Sequence, residues 1–177
     1  MRALSGKFAG GDVVRLMAFD VDGVLTDGTL WFGPAGDTYK AFHTLDGHGL
    51  KLLGAGGIEV AIVTGRFSEA VRIRADELGI KFLRQGVADK VRALAGLADE
   101  AGVSLRECGY MGDDVVDLPV MRACGFCACP ADAHPLVRAR ASMVATRPGG
   151  RGAVREICEA ILLAQGRLDA VLAPWLE

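Results

Sequence analysis

The sequence predicts an α/β fold in which helices cover both faces of a parallel β-sheet. Short apolar runs, typical of buried strands, alternate along the chain with longer segments of helical periodicity. Repeated strand–helix–strand units joined by short loops place their strands side by side in the same direction. The chain has 177 residues, of which 51% are hydrophobic, and this is enough to build one sizeable core.

The strands are predicted from apolar runs at 13–19, 58–63, 81–83, 108–111, 126–129 and 143–145. Two further runs, at 28–32 and 38–42, flank a turn rich in Gly and Pro, which predicts a β-hairpin inserted after the first strand. Helices are expected near 49–54, at 68–78, 88–101 and 116–123, near 133–139 and at 154–165. Gly79 and Gly102 are predicted to end two of these helices.

Composition limits the organisation of the chain and its partners. Residues 1–11 are aperiodic and predict a loose leader, followed by a single domain over 12–177. The net charge is −2 and the 20 Lys and Arg are scattered, so we expect no nucleic-acid partner. The sequence shows neither the apolar segment of a signal peptide nor a run of roughly 20 apolar residues that could span a membrane. We therefore expect no membrane contact. The odd number of cysteines, five, favours reduced thiols and a cytoplasmic protein.

Charged and hydroxyl residues directly follow the predicted strands. They are Asp20, Asp22, Thr64, Arg66, Asp113 and Asp114, with Gly65 between Thr64 and Arg66 and with Lys90 near the start of a helix. Since parallel sheets bind ligands outside the carboxyl ends of their strands, these side chains are expected to converge at one edge.

Such a cluster of carboxylates favours metal-assisted phosphoryl transfer. Carboxylates brought together repel one another unless a cation compensates, and hard oxygen ligands suit Mg²⁺. A carboxylate beside such a cation, here Asp20, can attack phosphorus, while Asp22 protonates the leaving alcohol and later activates water. Thr64 can donate to a phosphoryl oxygen, and Lys90 can neutralise charge that the metal does not reach.

Four segments in chain order resemble the motifs of the haloacid dehalogenase superfamily of phosphatases. They are DVDGVLTD at 20–27, TGR at 64–66, Lys90 and GDD at 112–114. Further segments resemble the 3-deoxy-D-manno-octulosonate 8-phosphate phosphatase family, across roughly residues 13–172. They are DGHG at 46–49, QG at 85–86, DAHP at 132–135 and GGRGAVRE at 149–156. The resemblance implies a Rossmann-like core of the haloacid dehalogenase type.

The resemblance also implies roles for single residues. Asp20 would be the nucleophile and Asp22 the general acid/base, and Mg²⁺ would be held by Asp20, the Asp22 backbone carbonyl and Asp113. Asp114 would lie behind these groups and steady Lys90. Substrate-binding candidates are Gly65, Arg66, His48 and Arg151. Each of three side chains could instead have no contact with the substrate. Arg66 could cap its helix or form a salt bridge there, Arg151 could be part of a turn before the last helix, and His48 could be an ordinary loop histidine.

The spacing of the motifs leaves no room for a separate cap domain. Only the hairpin fits within 27–46, and only a helix and a strand fit within 66–90. The site of a lone subunit would therefore be open to water. Trp31 and Phe32 on the hairpin indicate a subunit contact. The resemblance implies a homotetramer in which a neighbour helps to close each site.

The function that the resemblance implies is Mg²⁺-dependent removal of phosphate from 3-deoxy-D-manno-octulosonate 8-phosphate, in lipopolysaccharide precursor synthesis. Two cations, Arg66 and Arg151, suit the carboxylate and phosphate of a sugar-acid phosphate. The alternatives are a phosphatase of a related nine-carbon keto-sugar acid phosphate and a non-catalytic tetramerisation module. Leu45 departs from the family, which often has Arg before the DGHG-type segment.

The remaining cluster, Cys124, Cys127 and Cys129, has the spacing of a redox or zinc pair. It runs from a helix end into a predicted buried strand, where cysteine acts as a small apolar residue. Core packing is therefore the prediction for these thiols.

Overall fold

Eight strands build one parallel sheet and one hairpin in the computed structural model, which describes residues 13–34 and 36–176. In chain order they are β1 (Leu16–Phe19), β2 (Trp31–Gly33), β3 (Gly36–Tyr39), β4 (Glu59–Val63), β5 (Phe82–Arg84), β6 (Cys108–Met111), β7 (Phe126–Cys129) and β8 (Met143–Val144). β2 and β3 pair antiparallel as the predicted hairpin, and the other six strands are parallel. The predicted leader, 1–11, lies outside the described residues.

Helices lie on both faces of the sheet, as predicted. They are α1 (Thr44–Ala55), α2 (Glu69–Leu78), α3 (Lys90–Ala101), α4 (Leu118–Ala123), α5 (Pro135–Arg138), α6 (Ala153–Ala164) and α7 (Leu168–Leu172). Alternate residues of β1 enter two separate cores because strand side chains alternate between faces. Met17 and Phe19 pack in the core that includes α1, α2 and α6, whereas Leu16 and Ala18 pack in the core of α3 and α4.

Two helices differ from the prediction. α1 begins at Thr44, not near 49, and it contains Gly47 and Gly49, which lower helix propensity. Tertiary packing explains one of these glycines, because a Cβ on Gly49 would lie 2.8 Å from the Arg155 Cα of α6. α7 was not predicted: it is short and buries one residue, Leu168, so it has no readable period.

The strand order β5-β4-β1-β6-β7-β8 puts β1 at the point where the chain changes direction across the sheet. From β1 the chain builds β4 and β5 on one side and then crosses to β6 on the other. Ligand crevices of open α/β sheets form at this switch point, outside the carboxyl ends of the strands. The fold therefore places a crevice where β1, β4 and β6 end.

The described chain near this crevice has no cap domain. A helical turn over Val21–Leu25 and the hairpin are its only elements between β1 and α1, and α2 and β5 its only elements between Thr64 and Lys90. Within the described ranges, no helix combines the length and apolarity that crossing a bilayer requires.

The cysteine cluster packs in the core, as predicted. Cys127 and Cys129 lie in the buried strand β7, and all five cysteines are free thiols. Burial raises the pKa of Cys129 to about 12, so this thiol stays protonated and unreactive at neutral pH.

Candidate active site

The ends of β1, β4 and β6 bring Asp20, Thr64 and Asp113 to one cleft. Asp20 N–H donates to the carbonyl oxygen of Met111 at 3.0 Å, which continues the ladder between β1 and β6 up to Asp20. The cleft has a volume of about 470 Å³. The predicted site residues that line it are Asp20, Asp22, Thr64, Gly65, Arg66, Lys90, Asp113 and Asp114.

Lys90 bridges two buried carboxylates at the floor of this cleft. Its Nζ lies 2.5 Å from Asp20 Oδ2 and 2.6 Å from Asp117 Oδ1, and its side chain is only 10% exposed. Burial lowers the pKa of Lys90, but the two carboxylates outweigh burial, and the pKa is raised overall. Burial raises the pKa of Asp20, although the Lys90 ammonium opposes this rise. The bridge thus holds Asp20 in place and supplies a fixed positive charge beside it.

Asp117 organises the floor of the site. Its Oδ1 accepts hydrogen bonds from Lys90 and from the Tyr110 hydroxyl at 3.1 Å, and its Oδ2 accepts from the backbone N–H groups of Asp113 and Asp114 at 3.0 and 3.3 Å. Asp117 belongs to none of the motifs above, so the sequence does not predict it as a site residue. Its position four residues after Asp113, near the start of the predicted helix 116–123, is the signal that could have found it.

The second partner of Lys90, beside Asp20, is therefore Asp117, which corrects the predicted pairing of Lys90 with Asp114. The side chain of Asp114 instead caps the 3₁₀ turn Val115–Asp117, where it accepts from the Val115 N–H at 2.7 Å. Asp114 is an exposed residue at the edge of the cleft.

A glycine-rich loop, residues 149–152, packs against the loop that follows β1. A Cβ on Gly149 would lie 1.9 Å from the carbonyl oxygen of Gly23, so only glycine fits. Asp46, which is 2% exposed, fixes this loop because its carboxylate accepts from the N–H groups of Gly152 and Arg155 at 3.0 and 2.9 Å. Asp46 thus links α1 to the glycine-rich loop and to the start of α6.

The other predicted substrate residues lie in different places. Arg66 lines the cleft with Nε 3.5 Å from Asp22 Oδ2. The Nη2 atom of Arg151 lies 3.3 Å from Asp27 Oδ2, in an exposed ion pair. His48 lies in α1 and not in a loop, with its ring edge-on to Trp175 at 5.2 Å between centroids. It is not among the described residues that line the cleft.

No protein-family model matches the chain. Among curated proteins, it is 46% identical over 156 residues to "3-deoxy-D-manno-octulosonate 8-phosphate phosphatase KdsC" of Escherichia coli strain K12. The match covers 88% of this chain and 83% of that protein. The chain belongs to the KdsC family.

Solved structures of this KdsC type agree with the fold. The 3-deoxy-D-manno-octulosonate 8-phosphate phosphatase from Moraxella catarrhalis, in complex with magnesium, phosphate and KDO, is 42% identical with a TM-score of 0.91, and the match covers 99% of both chains. The cobalt-bound deoxy-D-mannose-octulosonate 8-phosphate phosphatase (YrbI) from Haemophilus influenzae is 39% identical with a TM-score of 0.90. That match covers 97% of this chain and 99% of the other.

The carboxylates of this KdsC-family site fit one divalent cation. Oxygen atoms of Asp20, Asp113 and Asp117 all lie within 4.8 Å of one another. Since both oxygens of Asp117 already accept two hydrogen bonds each, Asp20 and Asp113 are the residues that would hold the ion. Gly23 leaves space for the carboxylate of Asp113, because a Cβ at position 23 would lie 2.1 Å from Asp113 Oδ2.

Mg²⁺ is expected to raise the melting temperature more at pH 8 than at pH 6. Burial, with the carboxylates of Asp117 and Asp20, raises the pKa of Asp113 from 3.8 to about 7. The stability that this raised pKa contributes is present at pH below 3.8 and is lost as the pH rises through about 7. The metal-free protein is therefore less stable toward unfolding at pH 8 than at pH 6. A cation bound to the ionised Asp113 offsets that loss, whereas at pH 6 it must displace a proton.

Thermal melts with Mg²⁺ and with chelator at both pH values measure this difference. Asp113→Asn is the matched control and should show little response to Mg²⁺ at either pH. An equal Mg²⁺ shift at pH 6 and pH 8 in the unmodified protein would contradict the assignment of Asp113 as a ligand.

Proposed function

We propose that the protein hydrolyses 3-deoxy-D-manno-octulosonate 8-phosphate to the sugar acid and inorganic phosphate in a Mg²⁺-dependent reaction. Membership of the KdsC family supports this substrate. The observation that carries the chemistry is the bridge from Asp20 through Lys90 to Asp117, with Asp113 at the same end of the sheet.

In the first step, an oxygen of the Asp20 carboxylate attacks phosphorus. The bond from phosphorus to the sugar oxygen breaks, and Asp22 donates a proton to that oxygen, which leaves an acyl phosphate on Asp20. The Val21 N–H donates to Asp20 Oδ1 at 2.6 Å and Lys90 donates to Oδ2, so the carboxylate is oriented before the substrate arrives.

In the second step, Asp22 accepts a proton from water. The water oxygen attacks phosphorus, the bond to Asp20 breaks, and inorganic phosphate leaves. Lys90 and the hydroxyl of Thr64, which is 2% exposed and lines the cleft, face the negative charge of the phosphoryl group. Mg²⁺ held by Asp20 and Asp113, and by the Asp22 carbonyl as the resemblance implies, would supply further positive charge at the phosphoryl oxygens.

Arg151→Ala is expected to lower kcat/KM about tenfold or more for the sugar-acid phosphate and less than about threefold for p-nitrophenyl phosphate. The Arg151 side chain is 64% exposed and its pair with Asp27 is a weak surface bridge, so the guanidinium is available to a substrate carboxylate. Steady-state kinetics on both substrates measure the ratio. Equal losses of kcat/KM on the two substrates would show that Arg151 has only a structural role in the loop 149–152.

The proposal includes a homotetramer with hairpins at its centre and a neighbour that helps to close each site. The support is the exposure of three aromatic side chains on one hairpin, Trp31, Phe32 and Tyr39, at 59%, 66% and 71%. Sedimentation of the unmodified protein and of a Trp31→Ser/Phe32→Ser variant tests this, since only the variant should dissociate. A monomeric unmodified protein would contradict it. We also place the enzyme in the cytoplasm, on the route to lipopolysaccharide precursors.

A phosphate-release screen over sugar phosphates, with and without chelator, tests the function. We expect 3-deoxy-D-manno-octulosonate 8-phosphate to be the best substrate and chelator to abolish its hydrolysis. Faster turnover of the nine-carbon keto-sugar acid phosphate would move the assignment to that branch. Failure to hydrolyse any phosphomonoester with Mg²⁺ present would favour a non-catalytic module.

A further inference from the structure

A buried lysine on the hairpin contacts the proposed acid/base residue. Lys40 directly follows β3, and its side chain is 1% exposed. Its Nζ lies 2.5 Å from Asp22 Oδ1. The mechanism above assigns no role to this lysine.

Stability alone is a poor reason for such a pair. Lysine is among the residues least often fully buried, since its ammonium loses hydration on burial. A buried ion pair often contributes no more to stability than well-packed apolar side chains of similar volume. A buried ammonium does, however, fix the position of the carboxylate it contacts.

The two oxygens of Asp22 lie in different surroundings. Oδ1 contacts Lys40, which is not among the described residues lining the cleft. Oδ2 lies on the side of Arg66, whose side chain lines the cleft and is 54% exposed. Lys40 therefore holds Oδ1 on the side away from the cleft. Oδ2 lies on the side of the cleft, where the substrate would bind.

We propose that Lys40 is a positioning residue, which holds Oδ1 of Asp22 so that Oδ2 meets the leaving oxygen of the substrate. The inference rests on the proposed phosphatase function and adds a residue to it. Because Lys40 follows β3, the hairpin and the proton-transfer residue are joined by this one side chain.

The test compares two substrates of similar size that differ in how much their leaving groups need a proton. Nitrophenolate leaves p-nitrophenyl phosphate without protonation, whereas phenolate leaves phenyl phosphate more readily when protonated. The ratio kcat/KM covers the steps up to departure of the leaving group, so it reports proton donation by Asp22. Lys40→Met and Lys40→Gln are measured beside Asp22→Asn, and exposed Lys81→Met is the matched control.

For both Lys40 variants we expect kcat/KM to fall about tenfold or more with phenyl phosphate and the sugar phosphate, but less than about threefold with p-nitrophenyl phosphate. Asp22→Asn should show the same selectivity more strongly, and Lys81→Met should match the unmodified protein. Equal losses on both phenyl substrates, or no loss, would overturn the role of Lys40. An unmodified protein that hydrolyses none of these substrates would instead overturn the proposed function.

Discussion

Asp20→Asn is expected to reduce turnover by about 10⁴-fold or more, because a neutral amide oxygen is a poor nucleophile toward phosphorus. The fold should survive, since the amide has the same shape and Lys90 keeps its second partner, Asp117, at 2.6 Å. Burial already disfavours the ionised form of Asp20, as its raised pKa indicates. We therefore expect a stability change of under about 1 kcal/mol, or roughly 2–4 °C in Tm for a chain of this size.

Phosphate release and thermal melting measure the two parts of this prediction. Asp99→Asn, the same substitution at an exposed position of α3, is the matched control and should keep full activity. Activity of Asp20→Asn within tenfold of the unmodified protein would remove Asp20 as the nucleophile.

Lys90→Met is expected to lower kcat by about 10²–10³-fold, through loss of a fixed charge at the phosphoryl group. It should also destabilise the metal-free protein by about 3–5 kcal/mol near neutral pH, because two buried carboxylates lose their shared counter-charge. The Lys90 ammonium lowers the pKa of Asp20, so its removal raises that pKa further. A folded pKa raised above the usual 3.8 gives stability that is present at lower pH and lost as the pH rises.

The stability deficit of Lys90→Met should therefore be small near pH 4 and grow toward pH 8. Denaturant unfolding at several pH values, with chelator present, measures this trend. Lys51→Met, on the exposed side of α1, is the control and should follow the unmodified protein throughout. A deficit that does not depend on pH would show that Lys90 stabilises the fold by packing and not by charge.

The fold was predictable where local signals and burial agree. β6 and β7 have the predicted bounds, because each is a short run buried on both faces of the sheet. α2 and α3 end at Gly79 and Gly102, whose φ angles of 72° and 65° are left-handed. The start of α1 was not predictable, because Gly47 and Gly49 lower its helix propensity, and the packing of Gly49 against α6 is a tertiary contact that a local pattern does not reveal.

The candidate site shows the same division. The convergence of Asp20, Thr64 and Asp113 was predictable, because the position of a ligand site beyond the strand ends depends only on strand direction. Asp117 and Lys40 were missed, because each matters through a partner far away in sequence, Lys90 in one case and Asp22 in the other. A lysine in a hairpin looks solvated until the fold shows that its side chain is 1% exposed.

Chemical trapping of the phosphorylated enzyme shows whether Asp20 is the residue that is phosphorylated during turnover. Enzyme mixed with Mg²⁺ and the sugar-acid phosphate is quenched during turnover and treated with borohydride, which reduces an acyl phosphate of aspartate to homoserine. Peptide mass spectrometry then locates the homoserine. We expect it in place of Asp20, only when both substrate and Mg²⁺ are present. Homoserine at another acidic position, or full turnover with Asp20 never modified, would contradict this expectation.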